Sequence, residues 1–123
     1  MAYSAYVISD ESRARILERL PPSFPEVIAH HITYRFPDKE APPQVMEVRV
    51  IGHAKNQDLG IECLVVSLDG VSLRPTGGIY HITLSLDRSL GAKPVHSNRI
   101  LKSPWIELDT PFLINVEPLL IGP

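Results

Sequence analysis

The three-residue sequence His-Ile-Thr occurs twice in this chain, each time within a stretch that alternates polar and apolar residues. The first copy is His31-Ile32-Thr33, in residues 27–36, and the second is His81-Ile82-Thr83, in residues 79–86. Alternation with a period of two is typical of a β-strand that has one buried and one polar face. The repeat therefore predicts two half-buried strands that present the same pair of polar side chains.

The spacing within each copy determines which side chains share a face. Because successive side chains of a strand point to opposite faces, residues two apart stand side by side. The rule predicts one polar row on each strand: His31, Thr33 and Arg35 on the first, and His81, Thr83 and Ser85 on the second. The apolar side chains between them point the other way, towards a core.

The remaining pattern predicts an α+β domain that spans residues 1–123. A strand at 5–8 precedes an amphipathic helix at 10–20, which Ser9 or Asp10 caps and Pro21-Pro22 ends. Further strand candidates follow at 45–53, 61–68, 105–108 and 112–117. One main helix and six or seven strands predict a compact mixed or antiparallel sheet with the helix on one face.

The composition restricts the classes of partner. The chain has 12 basic and 14 acidic residues, which leaves no broad positive field for non-specific binding to long nucleic acid. No apolar stretch approaches the ~20 residues that a membrane-spanning helix needs, so no membrane partner is expected. The single Cys63 leaves no partner for an internal disulfide, as is usual in a reducing compartment, and we expect a cytoplasmic location.

The residue types of the two motifs suit acid-base chemistry at phosphorus. An imidazole has a pKa of about 6.5, so one histidine can take a proton while a second gives one. Threonine hydroxyls can donate hydrogen bonds to phosphate oxygens. No Asp or Glu accompanies either motif on its polar face, so neither a metal site nor another cofactor is expected.

The two motifs, preceded by a strand, an arginine-bearing helix and a Pro-Pro break, resemble those of the 2H phosphoesterase superfamily. That group has two His-x-Thr/Ser motifs and includes 2',3'-cyclic phosphodiesterases and the cyclic phosphodiesterase domains of tRNA ligases. The resemblance implies a bilobal sheet with the motifs facing each other across a central cleft. It also implies that His31 and His81 are catalytic and that Thr33 and Thr83 bind phosphate.

The expected activity is metal-independent hydrolysis of a 2',3'-cyclic phosphate at an RNA end or on a nucleotide, with Arg35 and Ser85 as further substrate-binding residues. The segment 69–78 is too short and too rich in Gly and Pro for the second long helix of the 2H pattern, so a trimmed member with an open cleft is expected. The sequence also allows two alternatives. One is a non-catalytic module that binds a nucleotide or RNA end, and the other is a structural interaction domain.

Three histidines lie outside the motifs. His30 is predicted to pack on the core side of its strand, and His53 and His96 are predicted to be surface residues. The sequence leaves open which catalytic histidine is the base and which ester bond is cut. It also leaves open the exact substrate, whether RNA, a cyclic dinucleotide or an ADP-ribose derivative, and the oligomeric state.

Overall fold

Within residues 1–122, which the computed structural model describes, eight strands form one open antiparallel sheet. The strands are β1 Tyr3–Ile8, β2 Glu26–Val27, β3 His31–Arg35, β4 Val48–Asn56, β5 Ile61–Leu68, β6 His81–Leu86, β7 Ile106–Ile114 and β8 Val116–Ile121. The helices are α1 Asp10–Arg19 and α2 Ser97–Ile100, with 3₁₀ turns at Arg88–Leu90 and Pro94–His96. The strand order is β7-β4-β5-β6-β3-β1-β8, and β2 pairs with one end of β6. The predicted α+β class is confirmed.

Helix α1 forms as the sequence predicts. The side chain of Ser9 accepts a hydrogen bond from the backbone N–H of Ser12 at 3.1 Å, which satisfies one of the unpaired donors of the first turn. The helix ends at Arg19, before the two prolines. Ile16 is fully buried, and Leu17 and Leu20 pack beside it, so α1 covers one face of the sheet.

The sheet has an apolar cluster on each face, and β5 contributes to both. All eight residues of β5 are buried. Leu64 and Val66 belong to the cluster under α1, whereas Cys63 and Val65 belong to a second cluster that includes Ile100 of α2. The two faces can therefore be called the α1 face and the α2 face.

The predicted strand at 27–36 is divided into two. Ala29 has a φ of 42°, and its N–H donates to the carbonyl of Thr83 at 2.9 Å. The side chain of Arg13 in turn donates to the carbonyls of Ile28 and Ala29. Because this turn redirects the chain, β2 pairs with β6, whereas β3 pairs mainly with β1.

The two motif strands lie side by side in the middle of the sheet. A single residue pair, Ile32 with Ile82, joins β3 to β6. This pair connects one group of strands, β8-β1-β3, to a second group, β6-β5-β4-β7. Between β5 and β6 the described chain forms turns at Asp69-Gly70 and Gly77-Gly78 instead of a helix, as the sequence predicts.

No helix among residues 1–122 is both long enough and apolar enough to cross a membrane.

Candidate active site

A one-residue bulge interrupts β3 directly after its motif. Thr33 pairs with Ala5 of β1, but Arg35 pairs with the adjacent Ser4, so Tyr34 is an extra residue in β3. A bulge of this kind reverses the side on which all later side chains point. Arg35 therefore leaves the face that carries Thr33, and Phe36 returns to it.

The second motif strand has the same bulge at the same position. Thr83 pairs with Cys63 of β5, but Ser85 pairs with the adjacent Glu62, so Leu84 is the extra residue in β6. Ser85 is turned to the α1 face, and Leu86 returns to the apolar cluster of the α2 face. The two motifs thus share their strand irregularity as well as their sequence.

The bulges explain why two of the six predicted site residues lie elsewhere. Arg35 is exposed, with its guanidinium 6.0 Å from the ring centre of Tyr34, and does not line the cavity described below. Ser85 is fully buried on the α1 face, where it donates to a carboxylate oxygen of Glu62 at 2.6 Å. The period-two rule that placed them beside the motifs holds only for an uninterrupted strand.

A cavity of about 730 Å³ lies on the α2 face, where β3 and β6 meet. The remaining four predicted residues all line it: His31 and Thr33 from β3, and His81 and Thr83 from β6. The antiparallel register about the pair of Ile32 and Ile82 sets each histidine opposite the threonine of the other motif. The two motifs are therefore related by an approximate two-fold axis through that pair.

His81 is held in one tautomer by its backbone neighbour. Its Nδ1 lies 2.7 Å from the carbonyl oxygen of Ile79, and because a carbonyl only accepts, Nδ1 carries the proton. Burial lowers the pKa of His81, the hydrogen bond to Ile79 opposes this change, and the nearby Arg74 guanidinium lowers the pKa further. His81 is accordingly neutral at neutral pH, with a lone pair on Nε2.

His31 has an unusual partner. Its Nδ1 lies 2.9 Å from Nδ1 of His30, so one imidazole donates to the other. Burial lowers the pKa of His31 to about 4, and the adjacent His30 and His81 rings contribute to this shift. The prediction that His30 packs on the core side is wrong. His30 is exposed, because the turn at Ala29 breaks the alternation before β3 begins.

Arg74 is a cavity residue that the sequence did not reveal. Its guanidinium donates to the carbonyl of Gly77 at 3.2 Å and to Oδ1 of Asn98 at 3.0 Å. None of the ion pairs formed among residues 1–122 includes Arg74, and burial lowers its pKa. Gly78 supports this placement, because its φ is 87° and a Cβ there would lie 2.7 Å from Arg74 Nη2. A half-buried cation without a carboxylate partner suits an anionic ligand.

The two threonine hydroxyls differ in their surroundings. Thr83 is buried, and its Oγ1 lies 2.8 Å from Oγ of Ser97 in α2 and 3.4 Å from the carbonyl of Pro94. When Ser97 donates to Thr83, the hydroxyl of Thr83 donates in turn to the carbonyl of Pro94, over a distance long enough for a closer acceptor in the cavity to replace that carbonyl. Thr33 makes no side-chain hydrogen bond with the described residues, so its hydroxyl can donate to a ligand.

Two aromatic side chains form the end of the cavity beyond His31. The ring centre of Tyr3 lies 5.6 Å from that of His31 and 5.8 Å from that of Phe36. Phe36 is 61% exposed, although its large apolar ring lies at the cavity rim. Uninterrupted alternation would place Phe36 on the face opposite Thr33, and the bulge at Tyr34 accounts for the difference.

A second polar cluster lies on the α1 face. The carboxylate of Glu62 is 1% exposed and accepts hydrogen bonds from Ser23, Ser85 and His53, the last with Nε2 2.9 Å from Oε2. His53 is predicted to be a surface residue, and its side chain is 26% exposed, but its ring also pairs with this buried carboxylate. A one-residue bulge at Ile51 turns the side chain of His53 towards Glu62. Within residues 1–122, no three His, Cys, Asp or Glu side chains are grouped as a metal site.

Comparison with known proteins gives no match to this chain among family models, curated proteins or solved structures. The resemblance to the 2H phosphoesterase superfamily rests on the two motifs and on the order of elements before them. The chemistry available in the cavity is that of its own residues. These provide two neutral imidazoles, two hydroxyls, one unpaired guanidinium and an aromatic rim.

Proposed function

We propose that this protein is a phosphodiesterase that opens a 2',3'-cyclic phosphate on a nucleotide or at an RNA end, without a metal ion. The observation that carries this proposal is the cavity in which His31 and His81 meet beside Arg74. A neutral imidazole with a fixed lone pair suits a general base, and a nearby cation suits a phosphate anion. The trimmed 2H-like fold is part of the same proposal.

The tautomer of His81 makes it the base. Its free Nε2 takes a proton from water, which attacks phosphorus, and the positive charge formed on the ring is stabilised by the carbonyl of Ile79. His31 gives a proton to the departing ribose oxygen. Arg74 and the threonine hydroxyls donate to the non-bridging oxygens, where charge increases in the transition state.

The aromatic end of the cavity supports a nucleotide as the substrate. A nucleobase can stack on the exposed face of Phe36 while the cyclic phosphate lies between the histidines.

The direct test is a panel of 2',3'-cyclic mononucleotides and RNA ends that carry a cyclic phosphate, incubated with chelator-treated protein and followed by phosphorus NMR. We expect the cyclic phosphate resonance to be replaced by that of a 2'- or 3'-monophosphate, which also identifies the ester bond that is cut. Thermal stabilisation by a nucleotide without turnover of any substrate would favour the binding-module alternative. The absence of both turnover and thermal stabilisation would contradict the phosphodiesterase proposal and the binding-module alternative.

Replacement of Arg74 by glutamine is expected to lower kcat/KM for a cyclic nucleotide by about 10- to 100-fold, the range for loss of a charged hydrogen bond. Glutamine keeps a polar side chain but removes the charge that faces the phosphate. The matched control is Arg99→Gln, because Arg99 is an exposed cation of α2 that does not line the cavity. Equal kinetics for the two variants would exclude Arg74 from phosphate binding.

Replacement of Phe36 by alanine is expected to raise KM by about 5- to 100-fold for a cyclic nucleotide, since stacking of one base contributes about 1–3 kcal/mol. Ribose 2',3'-cyclic phosphate has no base, so its kinetics are expected to stay the same. Ile106→Ala is the control for loss of an exposed apolar side chain, because Ile106 is 73% exposed and lies on the distant edge strand β7. A parallel loss on both substrates would argue against stacking.

A further inference from the structure

His30 and His31 are in direct contact through their imidazole rings. The two Nδ1 atoms lie 2.9 Å apart, and the ring planes meet at 80°. His30 is exposed to solvent, whereas His31 is half-buried in the cavity. One side of this pair faces water and the other faces the reacting centre.

Within the described residues, no group around His31 stabilises the protonated form of its imidazole. Tyr3 faces its ring from β1, His81 lies across from it on β6, and His30 occupies its Nδ1. The charged Arg74 guanidinium lies on the His81 side. With these neighbours and a pKa of about 4, His31 is neutral at neutral pH. A neutral imidazole is a poor acid unless its second nitrogen is protonated as the first one loses its proton.

We propose that His30 is the proton relay of this site and supplies Nδ1 of His31 from solvent; this rests on the phosphodiesterase function proposed above. His31 starts as the neutral tautomer with hydrogen on Nε2, and its Nδ1 accepts a hydrogen bond from Nδ1–H of His30. As the bond from phosphorus to the ribose oxygen breaks, Nε2–H passes to that oxygen and Nδ1 takes the proton of His30.

The relay balances without any further reactant. As Nδ1–H of His30 leaves, Nε2 of His30 takes a proton from solvent, so His30 stays neutral, and His81 returns to solvent the proton that it took from the attacking water. His31 ends with hydrogen on Nδ1 and His30 with hydrogen on Nε2. The first tautomers are restored when the Nδ1 hydrogen of His31 passes back to Nδ1 of His30, while Nε2 of His31 takes a proton from water and Nε2 of His30 returns one to water. His30 touches no reacting atom, so it is a positioning and proton-supplying residue.

The pH dependence of kcat/KM distinguishes this relay from a mechanism in which His31 is already protonated before the reaction. In the wild type, kcat/KM is expected to stay level between about pH 6.5 and pH 8, because neutral His31 is competent. The substitution His30→Gln keeps a hydrogen-bond partner that cannot titrate, and only the scarce imidazolium form of His31 remains active. Its kcat/KM is expected to fall about tenfold per pH unit over that range, with KM unchanged.

Two further measurements complete the test. The substitution His30→Ala leaves space for a solute, so added imidazole is expected to restore much of its kcat, and His96→Gln is the matched histidine control. In the free protein labelled with ¹⁵N-histidine, a scalar coupling across the hydrogen bond is expected between the two Nδ1 nuclei. This coupling can be measured without a substrate, so it tests the hydrogen bond independently of the activity.

The outcomes are distinct. A level pH profile for His30→Gln, together with no rescue of His30→Ala, would overturn the relay and leave the phosphodiesterase function standing. Absence of the coupling would overturn the relay whatever the activity. If the wild type opens no cyclic phosphate, the proposed function fails, and the relay fails with it. A sloped profile with rescue and a coupling would support the relay.

Discussion

Replacement of His81 by alanine is expected to reduce kcat on a 2',3'-cyclic nucleotide by about 100- to 10,000-fold, the range for loss of a general acid or base. The reason is the lone pair at Nε2, which the hydrogen bond from Nδ1 to Ile79 directs away from the backbone. No other neutral base with a fixed tautomer lines the described cavity. His31→Ala is expected to cause a loss of similar size through the acid step.

The reductions in kcat caused by His31→Ala and His81→Ala are not expected to be additive. Base and acid act in one step, so the double variant His31→Ala with His81→Ala is expected to be about as slow as either single variant. His96→Ala is the matched control, since His96 is a partly exposed histidine that does not line the cavity. Thermal melting of every variant excludes unfolding as the cause. Near-normal turnover by either single variant on each cyclic phosphate tested would disprove the two-histidine mechanism.

The parts of the site that could be predicted from the sequence are those that depend on neighbouring residues alone. The alternation around each His-Ile-Thr motif identified both strands, and the capping and proline signals located α1 to within a residue. The pairing of β3 with β6 could not be read from these patterns. It depends on which strands meet in the sheet, which a local period does not specify.

The wrong placements of Arg35 and Ser85 have one physical origin. A period of two assumes that every residue of a strand is paired. Single extra residues at Tyr34 and Leu84 turned Arg35 and Ser85 away from the cavity. Arg74 was missed for a related reason. It lies in a turn, where no period sets the direction of a side chain, and only the three-dimensional arrangement brings it to the second motif.

The largest effect on stability is expected from Glu62→Ala. Glu62 is 1% exposed, and its two carboxylate oxygens are bonded to the backbone and hydroxyl of Ser23, to Ser85 and to His53. Alanine would leave these buried polar groups without partners. Each buried donor left without a partner costs about 1–3 kcal/mol, so a total loss of about 3–5 kcal/mol is expected, which corresponds to a fall in Tm of roughly 10–20 °C for a domain of this size.

Two matched variants test the cause of this loss. Glu62→Gln keeps the shape and most hydrogen bonds, so a smaller fall in Tm is expected. Glu47→Ala removes an exposed carboxylate that pairs with Arg49 at 2.7 Å, and a cost of less than about 1 kcal/mol is expected. Equal melting temperatures for Glu62→Ala and Glu47→Ala would show that the buried cluster does not stabilise the fold.

Acidification gives an independent measure of the same carboxylate. Burial raises the pKa of Glu62, but the hydrogen bonds from His53, Ser85 and Ser23 outweigh this effect and lower it to about 2, from an ordinary value of 4.5. Between these two values the unfolded chain binds more protons than the folded one, so stability decreases as the pH falls. The contribution of Glu62 is complete above about pH 4.5 and is lost towards pH 2. Glu62→Gln, which cannot titrate, is expected to lose less stability than the wild type over this range in denaturant titrations.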